Sequence, residues 1–215
     1  LSLKGRCSTN WATRSKKEVK YTLKYSLFND VFYYKFVNMS KTVNTIFLIG
    51  YMGAGKTVIG KSLSKKINYK FYDLDNYIEI KEGKKISEIF NQKNEVYFRK
   101  IENKYLDHLS SINEKKIIST GGGTPCFENN LNIIQNSTNS LSIYLKANIN
   151  TLVKRLKKSF SKRPLISHLK DEDVLRDFIT KHLFERSFYY EKSDVKIITD
   201  DIETKDIIKL ISELI

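Results

Sequence analysis

Gly50-Tyr51-Met52-Gly53-Ala54-Gly55-Lys56-Thr57 decides how the rest of this 215-residue chain is read. It fits the pattern G-x-x-x-x-G-K-[ST] at every fixed position. An apolar run, Ile46 to Ile49, precedes it, and a helical stretch, Thr57 to Ile67, follows, with Ile59, Leu63 and Ile67 at spacing four. Glycines in such a loop let the backbone curl until its N–H groups point at phosphate oxygens, and the helix behind adds its positive end. Lys56 brings a compact charge to β- and γ-phosphates, and the Thr57 hydroxyl suits Mg²⁺. A chance glycine-rich turn would not also have a strand before it and an amphipathic helix after it. The stretch therefore points to a nucleoside triphosphate with magnesium and leaves the phosphate acceptor open.

Working outward, strand and helix signals alternate. Tyr69 to Tyr72 reads as a strand, Glu95 to Leu109 as a helix with Phe98, Ile101, Tyr105 and Leu109 on one face, and Lys116 to Ser119 as a strand. Leu141 to Leu145 is a further strand, Ile149 to Lys158 and Asp171 to Tyr190 are helical, and Val195 to Ile198 and Thr204 to Leu214 close the series. Five β/α alternations predict an α/β protein with a parallel sheet between helices on both faces. Ligand sites in such sheets lie beyond the carboxyl ends of the strands.

The chemistry-bearing residues fall at those ends. Asp73 and Asp75 follow the second strand, and residues i and i+2 share one face of an extended chain. Asp73 suits a place near Mg²⁺ through water. Asp75 suits a group that orients an attacking hydroxyl or accepts its proton, or else a cap for the helix that begins at Asn76. Arg99 offers a planar fork that holds carboxylates bidentately, against a plain surface ion pair with a neighbouring Glu. Gly121-Gly122-Gly123 permits close backbone approach to a ligand. Ser161 to Leu165, with Arg163, suits a lid that brings a cation onto the transferring phosphate. Arg186, with Tyr189 and Tyr190 beyond it, is a second candidate carboxylate binder.

Composition sets outer bounds. Hydrophobic residues are 40% and charged residues 29%, which suits one folded domain and excludes wholesale disorder. Two cysteines, Cys7 and Cys126, cannot build a disulfide framework, and no apolar run approaches membrane-spanning length. The net charge of +14 invites a nucleic-acid reading, but the 31 Lys are scattered and no stacking motif of a recognised RNA or DNA module accompanies them. A solvated basic surface is the expectation. Residues 1–38 carry eight Lys/Arg and two acids and have no apolar signal core. They read as a basic leader, either an organellar transit peptide or sequence upstream of a start at Met39. The second is preferred, with residues 39–215 as the domain and 159–171 as its lid. A cytoplasmic location is expected, or an organellar one if the leader is a transit peptide.

In combination these residues resemble the shikimate kinase family. The resemblance rests on Gly50-x-x-Gly53-x-Gly55-Lys56-Thr57, Phe71-Tyr72-Asp73-x-Asp75, Phe98-Arg99-x-x-Glu102, Thr120-Gly-Gly-Gly123, Arg163-Pro164-Leu165 and Arg186-x-x-Tyr189-Tyr190. It implies a three-layer α/β/α fold of the nucleoside-monophosphate-kinase group, with a five-stranded parallel sheet. It implies Mg²⁺-dependent transfer of the ATP γ-phosphoryl group to the 3-hydroxyl of shikimate, on the way to chorismate and the aromatic amino acids. Gly53, Ala54, Gly55, Lys56, Thr57 and Val58 would wrap the phosphates, with Arg163 reaching ATP from the lid. Thr57 would ligate Mg²⁺ and Asp73 would stand in its outer shell. Asp75 would hold the shikimate hydroxyls and act as base or orienter, Arg99 and Arg186 would clamp the carboxylate, and Gly122 would touch shikimate through its backbone. Thr199 to Asp201 would lie near adenine. ATP and shikimate are then the partners, with no nucleic acid and no membrane, and a monomer is expected.

Overall fold

The computed structural model describes residues 42–158, Ile166, Leu169 and 171–215, together with the strand backbone of Tyr33–Tyr34. Six strands form one sheet: β1 (Tyr33–Tyr34), β2 (Thr45–Ile49), β3 (Lys70–Asp73), β4 (Lys116–Ser119), β5 (Ser140–Lys146) and β6 (Val195–Ile198), in the order β1-β6-β5-β2-β4-β3. The last five are parallel, as the alternation predicts. The exception is β1, which lies within the expected leader and pairs antiparallel with β6 through Tyr33↔Lys196 and Tyr34↔Val195.

The seven helices among the described residues are α1 (Lys56–Ile67), α2 (Leu74–Glu82), α3 (Ile86–Ser111), α4 (Asn130–Asn136), α5 (Ile149–Lys157), α6 (Glu172–Tyr190) and α7 (Thr204–Ser212). Central β2 is buried along its whole length because helices cover both faces, so it reads as an unbroken apolar run. Its alternate side chains serve separate cores. Ile46 and Leu48 pack with Ile59 and Leu63 of α1 and Ile207, Ile208 and Ile211 of α7. Phe47 and Ile49 pack with Leu74, Phe98, Leu152, Leu156, Leu175 and Ile179 on the other face. Each such fully buried Leu or Ile contributes about 1.5–3 kcal/mol.

Three local differences from the sequence expectations bear on the site. First, α2 begins immediately after β3, and its N-cap is Asp73, which accepts from the Asn76 N–H; Asp75 lies inside the first turn. The two carboxylates are therefore brought together by a strand-to-helix turn, and not by the alternation of an extended chain. Second, the helix expected from Glu95 is the second half of a longer α3, broken at Asn94 (φ 69°, ψ 174°). The Asn94 carboxamide oxygen accepts from the Tyr97 N–H at 3.1 Å and so caps the segment that carries Arg99. Third, α4 follows the triple-glycine loop where no helix was anticipated; its single buried face is too short for a periodic signal.

Candidate active site

The turn from β2 into α1 forms the floor of a cleft. Gly53 and Gly55 adopt φ of 85° and 98°, values that L side chains rarely take, and the chain curls there before α1 starts at Lys56. The Lys56 ammonium is buried under the loop and donates to the carbonyls of Gly50 (2.7 Å) and Tyr51 (3.1 Å). The cleft has a volume of about 430 Å³ and is lined by the loop from Met52 to Val58, by Asp73 and Asp75, by Ser119 to Gly122, and by Arg155, Thr199, Ile202 and Thr204. Its walls thus come from the carboxyl ends of β2, β3, β4 and β6, the position expected for an open parallel sheet.

Thr57 and Asp73 meet at this cleft: the Thr57 hydroxyl donates to Asp73 Oδ2 at 2.8 Å. Asp75 is partly buried at the cleft wall, and its carboxyl is pushed up to about 6. Burial is the main cause; Asp73 and Glu102 raise it further, while Lys56 and Arg99 pull it down. A carboxylate at this value is ionised at neutral pH and still basic enough to take a proton.

The triple glycine explains how Asp75 and Arg99 reach one region. None of the three needs a positive φ; what matters is space. A Cβ on Gly121 would lie 2.8 Å from Asp75 Oδ1 and 2.9 Å from Thr124 Oγ1, and one on Gly123 would lie 3.1 Å from Arg99 Nη2. The absence of side chains at positions 121 and 123 leaves the room that Asp75 and Arg99 occupy beside the loop. Arg99 stacks on the Phe127 ring at 3.8 Å and donates from Nη1 to Glu102 at 2.9 Å. Glu102 is almost fully buried and also accepts from Thr124 Oγ1 at 2.6 Å. Arg99 additionally pairs with Glu95, so the ion-pair alternative for this residue is present in the same side chain.

Arg186 comes from the far side, on α6. It lies over the Tyr51 ring at 5.8 Å, and Tyr190 beside it donates to the Gly122 carbonyl. Arg99 and Arg186 both act electrostatically on Cys126, whose thiol burial pushes up to about 11. Neither guanidinium group lines the phosphate cleft; Arg99 lies by Gly123, and Arg186 lies over Tyr51. Val58 is exposed at the cleft wall. Arg163, like most of the expected lid, lies outside the described residues.

Two contributors escaped the sequence reading. Arg155 of α5 donates to the Gly53 carbonyl (3.3 Å) and to the Thr199 carbonyl (2.9 Å), tying the phosphate loop to the end of β6. The scarcity of arginine, seven in the chain, is the one signal that marks it. Tyr51 is the second: buried, with its hydroxyl paired to His182 Nδ1 at 3.1 Å. In sequence it reads only as a variable position of the loop.

A glycine-rich phosphate loop with a hydroxyl–carboxylate pair and a carboxylate of raised pKa at its cleft suits a phosphate-loop kinase with a hydroxyl acceptor. Comparison with known proteins narrows this. The family model described as shikimate kinase matches residues 52–215. Shikimate kinase from Flavobacterium psychrophilum is 45% identical over 79% of this chain and 98% of its own, and that from Flavobacterium johnsoniae 47% identical over 73% and 90%. A crystal structure of shikimate kinase from Bacteroides thetaiotaomicron superposes with a TM-score of 0.74 at 34% identity, covering 79% of this chain and 97% of that one. The enzyme from Acinetobacter baumannii in complex with shikimate gives 0.71 at 30% identity, covering 81% and 93%. The chain belongs to the shikimate kinase family, and its activity is that of an ATP-dependent kinase with a hydroxyl group as acceptor.

Proposed function

We propose that the enzyme transfers the γ-phosphoryl group of ATP to the 3-hydroxyl of shikimate, with Asp75 as the proton acceptor and Arg99 and Arg186 as the grip on the carboxylate. One observation carries this assignment: Asp75 lines the same cleft as Lys56 and Thr57, and the glycine loop beside it, at Gly121, runs on to Arg99 at Gly123. In the transfer, the acceptor oxygen forms a bond to γ-phosphorus while the bond from γ-phosphorus to the β,γ-bridging oxygen breaks, and the hydroxyl proton passes to Asp75. Such transfer is loose in character, so the protein contributes mainly positioning and neutralisation of charge. Lys56 and the loop N–H groups orient the phosphates.

Magnesium fits the residues present. Among the described residues no three carboxylate, His or Cys side chains converge as a cage, whereas Thr57 and Asp73 stand 2.8 Å apart at the cleft. That pairing suits a cation held mostly by phosphate oxygens and water, with Thr57 as direct ligand and Asp73 hydrogen-bonded around it. When bound, the metal neutralises charge on the β- and γ-phosphates.

The test is a coupled ADP-release assay with shikimate, gluconate and AMP as parallel acceptors. Turnover with shikimate at least a hundredfold above the other two is expected. Equal or greater turnover with gluconate or AMP overturns the assignment.

A further inference from the structure

Arg99 is held in place from three directions without help from Glu95. Glu102, 1% exposed, accepts from Nη1; the guanidinium carbon lies over the Phe127 ring, 3.8 Å from its centroid; and Gly123 leaves so little room that an added Cβ would stand 3.1–3.2 Å from the Arg99 Nη atoms. The remaining edge, Nε and Nη2, is the edge by which an arginine grips a carboxylate in two-point fashion. Both atoms donate to a single oxygen, Glu95 Oε1, at 3.2 and 3.0 Å.

We propose that Glu95 is a resident competitor for the acceptor's carboxylate, and so a specificity-determining residue of the reaction. The inference rests on the reading of Arg99 as a carboxylate grip. The two glutamates on Arg99 differ in what their release costs. Parting Glu102 from Arg99 would leave the buried Glu102 carboxylate without its counter-charge. The Glu95 side chain is 54% exposed, so it returns to water easily. It is also the first residue of the helical segment that restarts after Asn94, where unpaired N–H groups favour a negative charge. A carboxylate-bearing acceptor replaces Glu95 with a like group and restores the full pairing of Arg99. A neutral polyol leaves the internal pair intact and gains nothing from the fork. The internal pair therefore weakens binding of the acid and fixes full ionisation of the acceptor as the condition for displacement.

The test measures calorimetric Kd values on the full chain for shikimate, for its analogue with the carboxylate reduced to a hydroxymethyl group, and for ATP. Glu95→Gln is expected to bind shikimate about two- to fivefold more tightly, the range for a part-exposed ion pair. Affinity for the hydroxymethyl analogue and for ATP should stay within experimental error, a selectivity that a general loosening of α3 would not produce. In the Arg99→Ala background the gain should vanish. Unchanged or weaker shikimate binding by Glu95→Gln, with Arg99→Ala still costing tenfold or more, overturns the competitor role and leaves the grip standing. If Arg99→Ala leaves shikimate affinity unchanged, the grip itself is wrong. Glu95 is exposed, so Glu95→Gln and Glu95→Ala both keep the core intact, and agreement between them in direction checks the result.

Discussion

At the scale of single residues, Asp75 carries the largest consequence. Replacing it with Asn removes the proton acceptor and keeps the shape, so kcat should fall by about 10²–10⁴ while ATP affinity holds within about twofold. Steady-state kinetics with a separate ATP titration checks both halves. The same residue links activity and stability to pH in opposite senses. Its carboxyl is raised from 3.8 to about 6 by burial and neighbouring carboxylates. Between those values the folded protein holds a proton that the unfolded chain has released, so stability falls as pH rises through that window. The ionised form above pH 6 costs roughly 3 kcal/mol. Asp75→Asn should therefore raise the melting temperature by several degrees at pH 8 and much less at pH 4. In the unsubstituted enzyme kcat/KM for the acceptor should decline below about pH 6 as this group protonates. An unchanged melting temperature at pH 8 would show that Asp75 is not held at a cost.

At the scale of elements, two short segments set the geometry. In the loop after β4, a methyl group at position 121 would press on Asp75 Oδ1 and Thr124 Oγ1, so one of these side chains would have to shift. Gly121→Ala should displace Asp75 and lower kcat at least tenfold, with a stability loss of about 1–3 kcal/mol from overpacking; turnover and chemical denaturation measure the two effects. The break in α3 is the second segment. Asn94 combines a left-handed backbone with a cap on Tyr97, and the segment it caps aims Arg99. Asn94→Ala loses the cap and retains the strain, so a loss of about 1–3 kcal/mol is expected by urea denaturation, together with a raised KM for the acceptor. Asn94→Gly, which suits the backbone, should recover part of the stability.

At the scale of the whole molecule, the edge of the sheet gives a further prediction. Tyr33 and Tyr34 pair with β6, and this two-residue ladder lies at the opposite edge of the sheet from β3, where Asp73 and Asp75 begin α2. Removing residues 1–38 should leave kcat and both KM values within about twofold. It should lower the melting temperature only slightly, since a two-residue edge pair contributes little alone. A large loss of activity on truncation would assign the leader a part in the catalytic domain.

The order β/α/β/α, the phosphate loop, and the identity of Asp73, Asp75, Arg99 and Arg186 as candidates were legible because each depends on local pattern. A phosphate loop is a run of adjacent residues, and strand and helix periods repeat within ten residues. Tertiary structure alone decided which of these candidates meet. It turned Asp73 into a helix cap, drew Arg155 onto Gly53 across 102 positions of chain, and laid Arg186 over Tyr51. It also gave Arg99 two glutamates of opposite character, one buried and one open to water. The physical reason is that burial and the electrostatic field at a side chain arise from atoms distant in sequence. A residue's type can be read along the chain, but its pKa and its partners exist only once the sheet has closed around it.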